Sequence, residues 1–94
     1  MRTAADIKKR CQIGTVITMT HHSWFPKGDL IGVSRPITHR QGNAIAFTPI
    51  EGHGKSWLYW PKASEMRVTG PDTFDVMLGE TWDRFMSYTF GEKT

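Results

Sequence analysis

An aromatic segment near the middle of the chain, residues 56–61 (Ser-Trp-Leu-Tyr-Trp-Pro), holds three of the eleven aromatic side chains. Successive side chains of an extended strand alternate between its faces, so Trp57 and Tyr59 share one face while Leu58 and Trp60 share the other. A strand that is apolar on both faces is either covered on both or offers one face to a partner. We therefore predict a central β-strand here, with Leu58 and Trp60 in the core and the face of Trp57 and Tyr59 free for function.

The size and composition predict one folded domain, residues 1–94. The chain is 38% hydrophobic and 12% aromatic, which is typical of a globular protein. No apolar run approaches the roughly 20 residues that cross a bilayer, and the N-terminus lacks the apolar core of a signal peptide. The single cysteine, Cys11, excludes an internal disulfide framework. We therefore expect a cytoplasmic protein without a membrane partner.

The pattern of short apolar runs predicts a mainly β fold. β-Branched and aromatic runs alternate with turn signals over most of the chain, which indicates about six antiparallel strands. Thr3 and Asp6 resemble a capping box and predict a short helix over residues 4–11. This order of elements favours a small SH3-like barrel or a β-sandwich.

Two segments leave alternatives open. Pro36 cannot donate to a ladder, so residues 34–40 predict either an edge strand or a bulged strand. Residues 81–90 fit a helical stripe or a strand, and the preceding Gly79, which suits a two-residue hairpin turn, favours the strand.

The loop over residues 21–29 places Trp24 and Phe25 beside a Pro-Lys-Gly-Asp turn signal. Such a pair either folds back as a lid over the core or protrudes as a binding anchor. An exposed pair lowers solubility, which favours the lid.

The sequence contains no motif that supports catalysis or metal binding. The run Gly-His-Gly-Lys-Ser at 52–56 resembles part of a phosphate-binding loop, but Pro49 replaces the required first glycine and a strand follows instead of a helix. The four histidines lack zinc-site spacing, and no Ser or Cys occupies a nucleophile elbow. We predict a non-enzymatic protein with no catalytic residues, no metal and no cofactor.

Positive charge in the first two-thirds of the chain raises nucleic acid as an alternative partner. Residues 1–67 carry ten Lys and Arg against four Asp and Glu. Proteins that bind single strands combine a basic groove with aromatic faces. The candidate contacts of this alternative are Lys8, Lys9, Arg10, Arg35, Arg40 and Lys55.

Two phrases of the sequence, residues 1–8 (Met-Arg-Thr-Ala-Ala-Asp-Ile-Lys) and 56–65 (Ser-Trp-Leu-Tyr-Trp-Pro-Lys-Ala-Ser-Glu), resemble small accessory proteins encoded by phages of actinobacteria. The phrases cover about a fifth of the chain and are specific, but they carry no known activity, so no residue role is transferred. The resemblance implies a small accessory protein that acts in the cytoplasm of the infected bacterial cell.

Our leading hypothesis is a non-enzymatic module that recognises a host or phage protein through an aromatic surface. Aromatic side chains are the usual anchors of protein interfaces. Nucleic-acid binding and a homo-oligomeric structural role in the phage particle are the alternatives, and the oligomeric state is left open. The candidate protein contacts are Trp24, Phe25, Lys27, Trp57 and Tyr59.

Overall fold

The computed structural model describes residues 2–28, 30–47 and 56–91, and for Ser56 and Trp57 the backbone alone. The predictions made for the glycine-rich segment 51–55, including Lys55, and for the side chain of Trp57 lie outside the described residues. The elements are α1 (Ala4–Arg10), β1 (Val16–His22), β2 (Ser34–Arg40), β3 (Ala44–Phe47), β4 (Ser56–Tyr59), a 3₁₀ turn (Ala63–Glu65), β5 (Met66–Val68), β6 (Thr73–Met77) and β7 (Phe85–Phe90).

The seven described strands form one antiparallel sheet in the order β4-β3-β2-β1-β7-β6-β5. Strands β4 and β5 are its edges, although only residues 60–65 join them along the chain. Six strand spacings would separate the edges of a flat sheet by about 29 Å, whereas the chain from Tyr59 to Met66 reaches at most about 25 Å. The sheet is therefore bent, in keeping with overall dimensions of 32 × 27 × 27 Å. The predicted mainly β fold with a short N-terminal helix is confirmed.

Helix α1 begins at the predicted capping box. The Thr3 Oγ1 accepts the N–H of Asp6 at 3.3 Å, and the Asp6 carboxylate accepts the N–H of Thr3 at 3.1 Å. The backbone N–H groups of Arg2 and then Thr3 hold the pKa of Asp6 below its usual value. The inner face of the helix carries Ile7, and Cys11 follows as its C-cap; both are fully buried. No helix of the described residues is long and apolar enough to cross a membrane.

The core lies on the inner face of the bent sheet, beneath α1. Phe74 of β6 is fully buried, and the centre of its ring lies 5.3 Å from that of Tyr88 and 5.5 Å from that of Phe90. Leu58 and Trp60 pack against this core, which confirms the inner face predicted for β4. The other buried hydrophobic members are Ile7, Cys11, Ile17, Met19, Ile37, Ile45, Phe47, Met66 and Val76.

The prediction that residues 56–61 form the central strand is wrong, because β4 is an edge strand. Its inner face packs on the core, but Tyr59 on its outer face is 66% exposed. Apolar residues on both faces therefore do not mean that both faces are covered.

The two alternatives for the Pro36 segment resolve to a bulge inside the sheet. Strand β2 pairs with β1 through Ser34, Arg35 and Pro36, and its register with β3 begins at Ile37 with a bulge before His39. The N–H of Ile37 donates to the Thr15 carbonyl at 2.9 Å, so the nitrogen of Pro36 points to the opposite side, towards β3, where the described pairing begins only at Ile37.

The segment over 81–90 is a strand from Phe85 onward, as predicted. The prediction of a two-residue turn before this strand is wrong, because the N–H of Leu78 donates to the carbonyl of Arg84 at 2.9 Å and closes a longer loop. Gly79 has the positive φ of 72° that a turn glycine permits, and Trp82 lies within the loop.

Candidate functional site

The loop after β1, residues 23–28 and here called the aromatic loop, presents two large side chains to solvent. Trp24 is 54% exposed and Phe25 is 64% exposed. The expectation that this pair forms a lid is wrong, because a lid would bury both rings. The N–H of Gly28 donates to the carbonyl of Phe25 at 2.9 Å and closes a turn behind the pair. Lys27 is exposed on the same loop.

The imidazole of His22, the last residue of β1, organises the aromatic loop. Its Nδ1 accepts the backbone N–H of Trp24 at 3.2 Å and that of Phe25 at 3.3 Å. Since both partners are donors, Nδ1 is unprotonated and Nε2 carries the proton of the neutral ring. The same ring lies 5.1 Å from the Phe25 ring and 6.2 Å from the Trp24 ring. One side chain therefore bonds to the backbone of the loop and lies beside both rings.

The environment of His22 favours this neutral form. Burial, and secondarily the neighbouring His21, lowers the pKa of His22 from its usual 6.5. A protonated ring would have no acceptor for the two N–H groups. The order of the aromatic loop is therefore tied to the charge state of one histidine.

Ser23 ties the base of the aromatic loop to β7. Its N–H donates to the carbonyl of Phe85 at 3.0 Å, and its Oγ donates to the same carbonyl while accepting the N–H of Phe85 at 2.9 Å. The hydroxyl proton is thereby used, so Nε2 of His21, 3.3 Å away, is the donor to Ser23 Oγ. The two exposed rings thus project from a base that is held on both sides.

The other aromatic candidates lie elsewhere. Tyr59 pairs in register with Ala44, just after the turn at 41–43, at the end of the sheet where β1 begins. Trp24 follows the opposite end of β1. The structure therefore does not bring Trp24 and Tyr59 into one surface.

Two of the basic candidates are used to attach α1. The Nη1 of Arg10 donates to Asp72 Oδ1 at 2.7 Å and to the Pro71 carbonyl at 3.1 Å, and its guanidinium lies 4.3 Å from the centre of the Phe90 ring. Arg40 donates to the carbonyls of Cys11 and Lys8 at 2.9 and 3.3 Å, at the C-terminal end of the helix.

Of the remaining basic candidates, Arg35 is buried, whereas Lys8 and Lys9 lie on α1 beside Arg10. Arg35 is only 7% exposed and lies 4.8 Å above the Phe47 ring, and burial lowers its pKa despite the opposing effect of Tyr88. The Lys8 ammonium lies 5.7 Å from the centre of the Trp60 ring. Lys9 is exposed. The structure thus buries Arg35 and brings Lys8, Lys9, Arg10 and Arg40 together at the C-terminal end of α1.

A polar row that the sequence analysis did not single out crosses the outer face of β5, β6 and β7. Asp75 accepts from Arg67 Nε at 2.8 Å and from Ser87 Oγ at 2.7 Å. The Arg67 guanidinium also lies 4.2 Å from the Trp82 ring and 5.0 Å from the Phe85 ring. The register of the hairpin around the turn at 70–72 could have predicted this row, because it places Arg67 opposite Asp75. The Arg67 and Asp75 charges and the Ser87 hydroxyl are paired with one another, so this row stabilises the sheet.

Within the part of the chain that the structure describes, no group of three His, Cys, Asp or Glu side chains could hold a metal ion. Comparison of the chain with known protein families, curated proteins and solved structures found no match.

Proposed function

We propose that this chain is a non-enzymatic binding module that recognises a protein partner through the aromatic loop. The observation that carries the proposal is the exposure of two adjacent aromatic side chains, Trp24 and Phe25, on a loop whose backbone is hydrogen-bonded to His22. Exposed aromatic pairs lower solubility, and their burial against a partner makes the free energy of binding more favourable.

The fixed loop supports this function energetically. Binding costs conformational entropy for every side chain and loop that becomes ordered, and a loop already held at His22 and Ser23 loses less. The two rings would enter an apolar cleft of the partner. Lys27, exposed beside them, would face an acidic rim.

The resemblance to accessory proteins of actinobacterial phages supports a host or phage protein as the partner, met in the cytoplasm of the infected cell. All seven described strands belong to one sheet, which is bent so that a short connection joins its two edge strands. This arrangement favours an SH3-like barrel over a sandwich of two sheets. Fold alone does not assign the function, which is why the proposal depends on the loop.

The test is affinity capture from an actinobacterial lysate with and without phage infection. The baits are the wild type, the double variant Trp24→Ser/Phe25→Ser, and Ile13→Ser, which removes another hydrophobic side chain that is 67% exposed. We expect one protein to be retained by the wild type and Ile13→Ser and lost with the double variant. Equal retention by a folded double variant would remove the aromatic loop from the function. Recovery of nucleic acid that salt releases would instead support the alternative partner.

A further inference from the structure

The two edges of the sheet differ in what lies beside them. Helix α1 packs against β5, and Arg10 attaches the helix to Pro71 and Asp72 in the turn that follows β5. On β4, β3 is the only strand partner among the described residues. Proteins usually protect such an edge with a charge, a proline, a bulge or a covering element. The four residues of β4, Ser-Trp-Leu-Tyr, include no charge and no proline.

The hydrogen-bond phase of β4 shows which backbone groups face outward. The N–H of Trp60 donates to the carbonyl of Asn43 at 2.8 Å and extends the ladder with β3. Bonded and non-bonded pairs alternate in an antiparallel ladder, so Leu58 also directs its N–H and C=O to β3. The N–H and C=O groups of Trp57 and Tyr59 therefore point away from β3, along the outer edge of the sheet.

Two positive charges of the described residues lie near this edge. The Lys8 ammonium lies over the Trp60 ring, and Lys62 is exposed just beyond the strand. The carboxylate of Glu65 is close in sequence but accepts the backbone N–H of Lys62 at 2.9 Å. The chain as a whole carries a net charge of +3. An acidic segment is complementary to this edge, whereas a second copy of the chain would bring like charges together.

We propose that β4 binds an extended acidic segment of a partner protein as an added strand, through the outward N–H and C=O groups of Trp57 and Tyr59. The exposed Tyr59 side chain, at 66%, offers a cross-strand contact to that segment. This second contact goes beyond the proposed function, because β4 lies across the sheet from β1 and at the opposite strand end from the aromatic loop. The two contacts can therefore be lost separately.

The first test measures amide hydrogen exchange by NMR on the full chain. The probe is a synthetic peptide of about ten residues that alternates aspartate with valine, and the matched control alternates lysine with valine. We expect the aspartate peptide to slow exchange at the Trp57 and Tyr59 amides by at least about tenfold and to leave Leu58 unchanged. Unchanged exchange at Trp57 and Tyr59, or equal protection by the lysine peptide, would overturn the proposal.

Two substitutions of one residue separate the backbone contact from the side chain. Tyr59→Pro removes an outward N–H without removing a bond to β3, and Tyr59→Thr keeps that N–H but removes the ring. We expect Tyr59→Pro to weaken binding of the aspartate peptide by at least about tenfold and Tyr59→Thr to stay within about threefold of the wild type. Equal binding by Tyr59→Pro, with a native circular dichroism spectrum, would overturn the proposal.

The remaining outcomes are also decisive. If Tyr59→Pro does not fold, the exchange measurement on the wild type decides the question. A dimer in light scattering that Tyr59→Pro dissociates would assign the edge to a second copy and overturn the acidic partner. Trp24→Ser/Phe25→Ser should bind the aspartate peptide like the wild type, so failure of the β4 contact and failure of the aromatic loop are distinguishable.

Discussion

The Nδ1 of His22 accepts the backbone N–H of Phe25 at 3.3 Å, and the same atom accepts the N–H of Trp24 at 3.2 Å. A side-chain acceptor here performs the task that Asn, Asp or Ser performs in most side-chain-stabilised turns. Unlike those residues, histidine loses its acceptor when it is protonated near neutral pH. The exposed aromatic pair is therefore displayed by a group that titrates.

Acidification should release the aromatic loop. Because the pKa of His22 is lower in the folded protein than its ordinary 6.5, the stabilisation is fully present above about pH 6.5. It is lost as the pH falls from 6.5 towards the lower folded pKa. NMR should show the Trp24 and Phe25 amides shifting together with the His22 ring. His21→Gln should keep this transition and His22→Phe should abolish it, whereas a transition that survives in His22→Phe would contradict the assignment.

Removing Asp75 should destabilise the sheet. Asp75 is 6% exposed and accepts charge-assisted bonds from Arg67 and Ser87. We expect Asp75→Ala to lower the free energy of unfolding by about 2 kcal/mol, measured by urea denaturation. The matched control Asp83→Ala, at an exposed loop position, should change it by less than about 0.5 kcal/mol. Equal effects of the two substitutions would show that the row of polar contacts does not stabilise the fold.

Adjacent cations of α1 should differ in their effect on stability. Arg10 contacts Asp72, Pro71 and the Phe90 ring, whereas Lys9 is exposed. The Arg10 pair is partly exposed, so we expect Arg10→Ala to lower the free energy of unfolding by about 1 kcal/mol. Lys9→Ala should have no measurable effect. The reverse order would mean that α1 is not attached through Arg10.

The thiol of Cys11 should be inert in the native protein. Burial raises the pKa of Cys11 to about 12, although the nearby Arg40 and Arg10 oppose this shift. Thiolate is the reactive form, so an aromatic disulfide reagent at about pH 8 should label the native chain far more slowly than the chain in denaturant. Equal labelling rates would place this thiol at the surface.

The parts of the fold that local sequence encodes could be predicted. The Thr3–Asp6 capping box needs only neighbouring residues, and the strand faces of β4 follow from alternation. The edge position of β4 is different, because it depends on β1 pairing with β7 across most of the chain. An apolar pattern reports which side chains share a face but carries no information on strand order.

The candidate site was predicted only in part. The Trp24–Phe25 pair stands out in composition, but its backbone bonds to His22 were not predicted, since a histidine that accepts backbone N–H groups has no sequence signature. A count of charge along the chain predicts a set of basic residues but not which of them are buried or bonded. The fold buries Arg35 and gathers Lys8, Lys9, Arg10 and Arg40 at α1, where the Arg10 and Arg40 side chains are bonded within the chain.

The central claim is tested most directly by the affinity of the captured partner for variants of the aromatic loop, measured by isothermal titration calorimetry. We expect Trp24→Ala and Phe25→Ala each to raise Kd by at least about tenfold, as interface anchors do, and Ile13→Ala to leave it within about twofold. If Kd is unchanged in both loop variants while their circular dichroism spectra remain native, the aromatic loop is not the binding site.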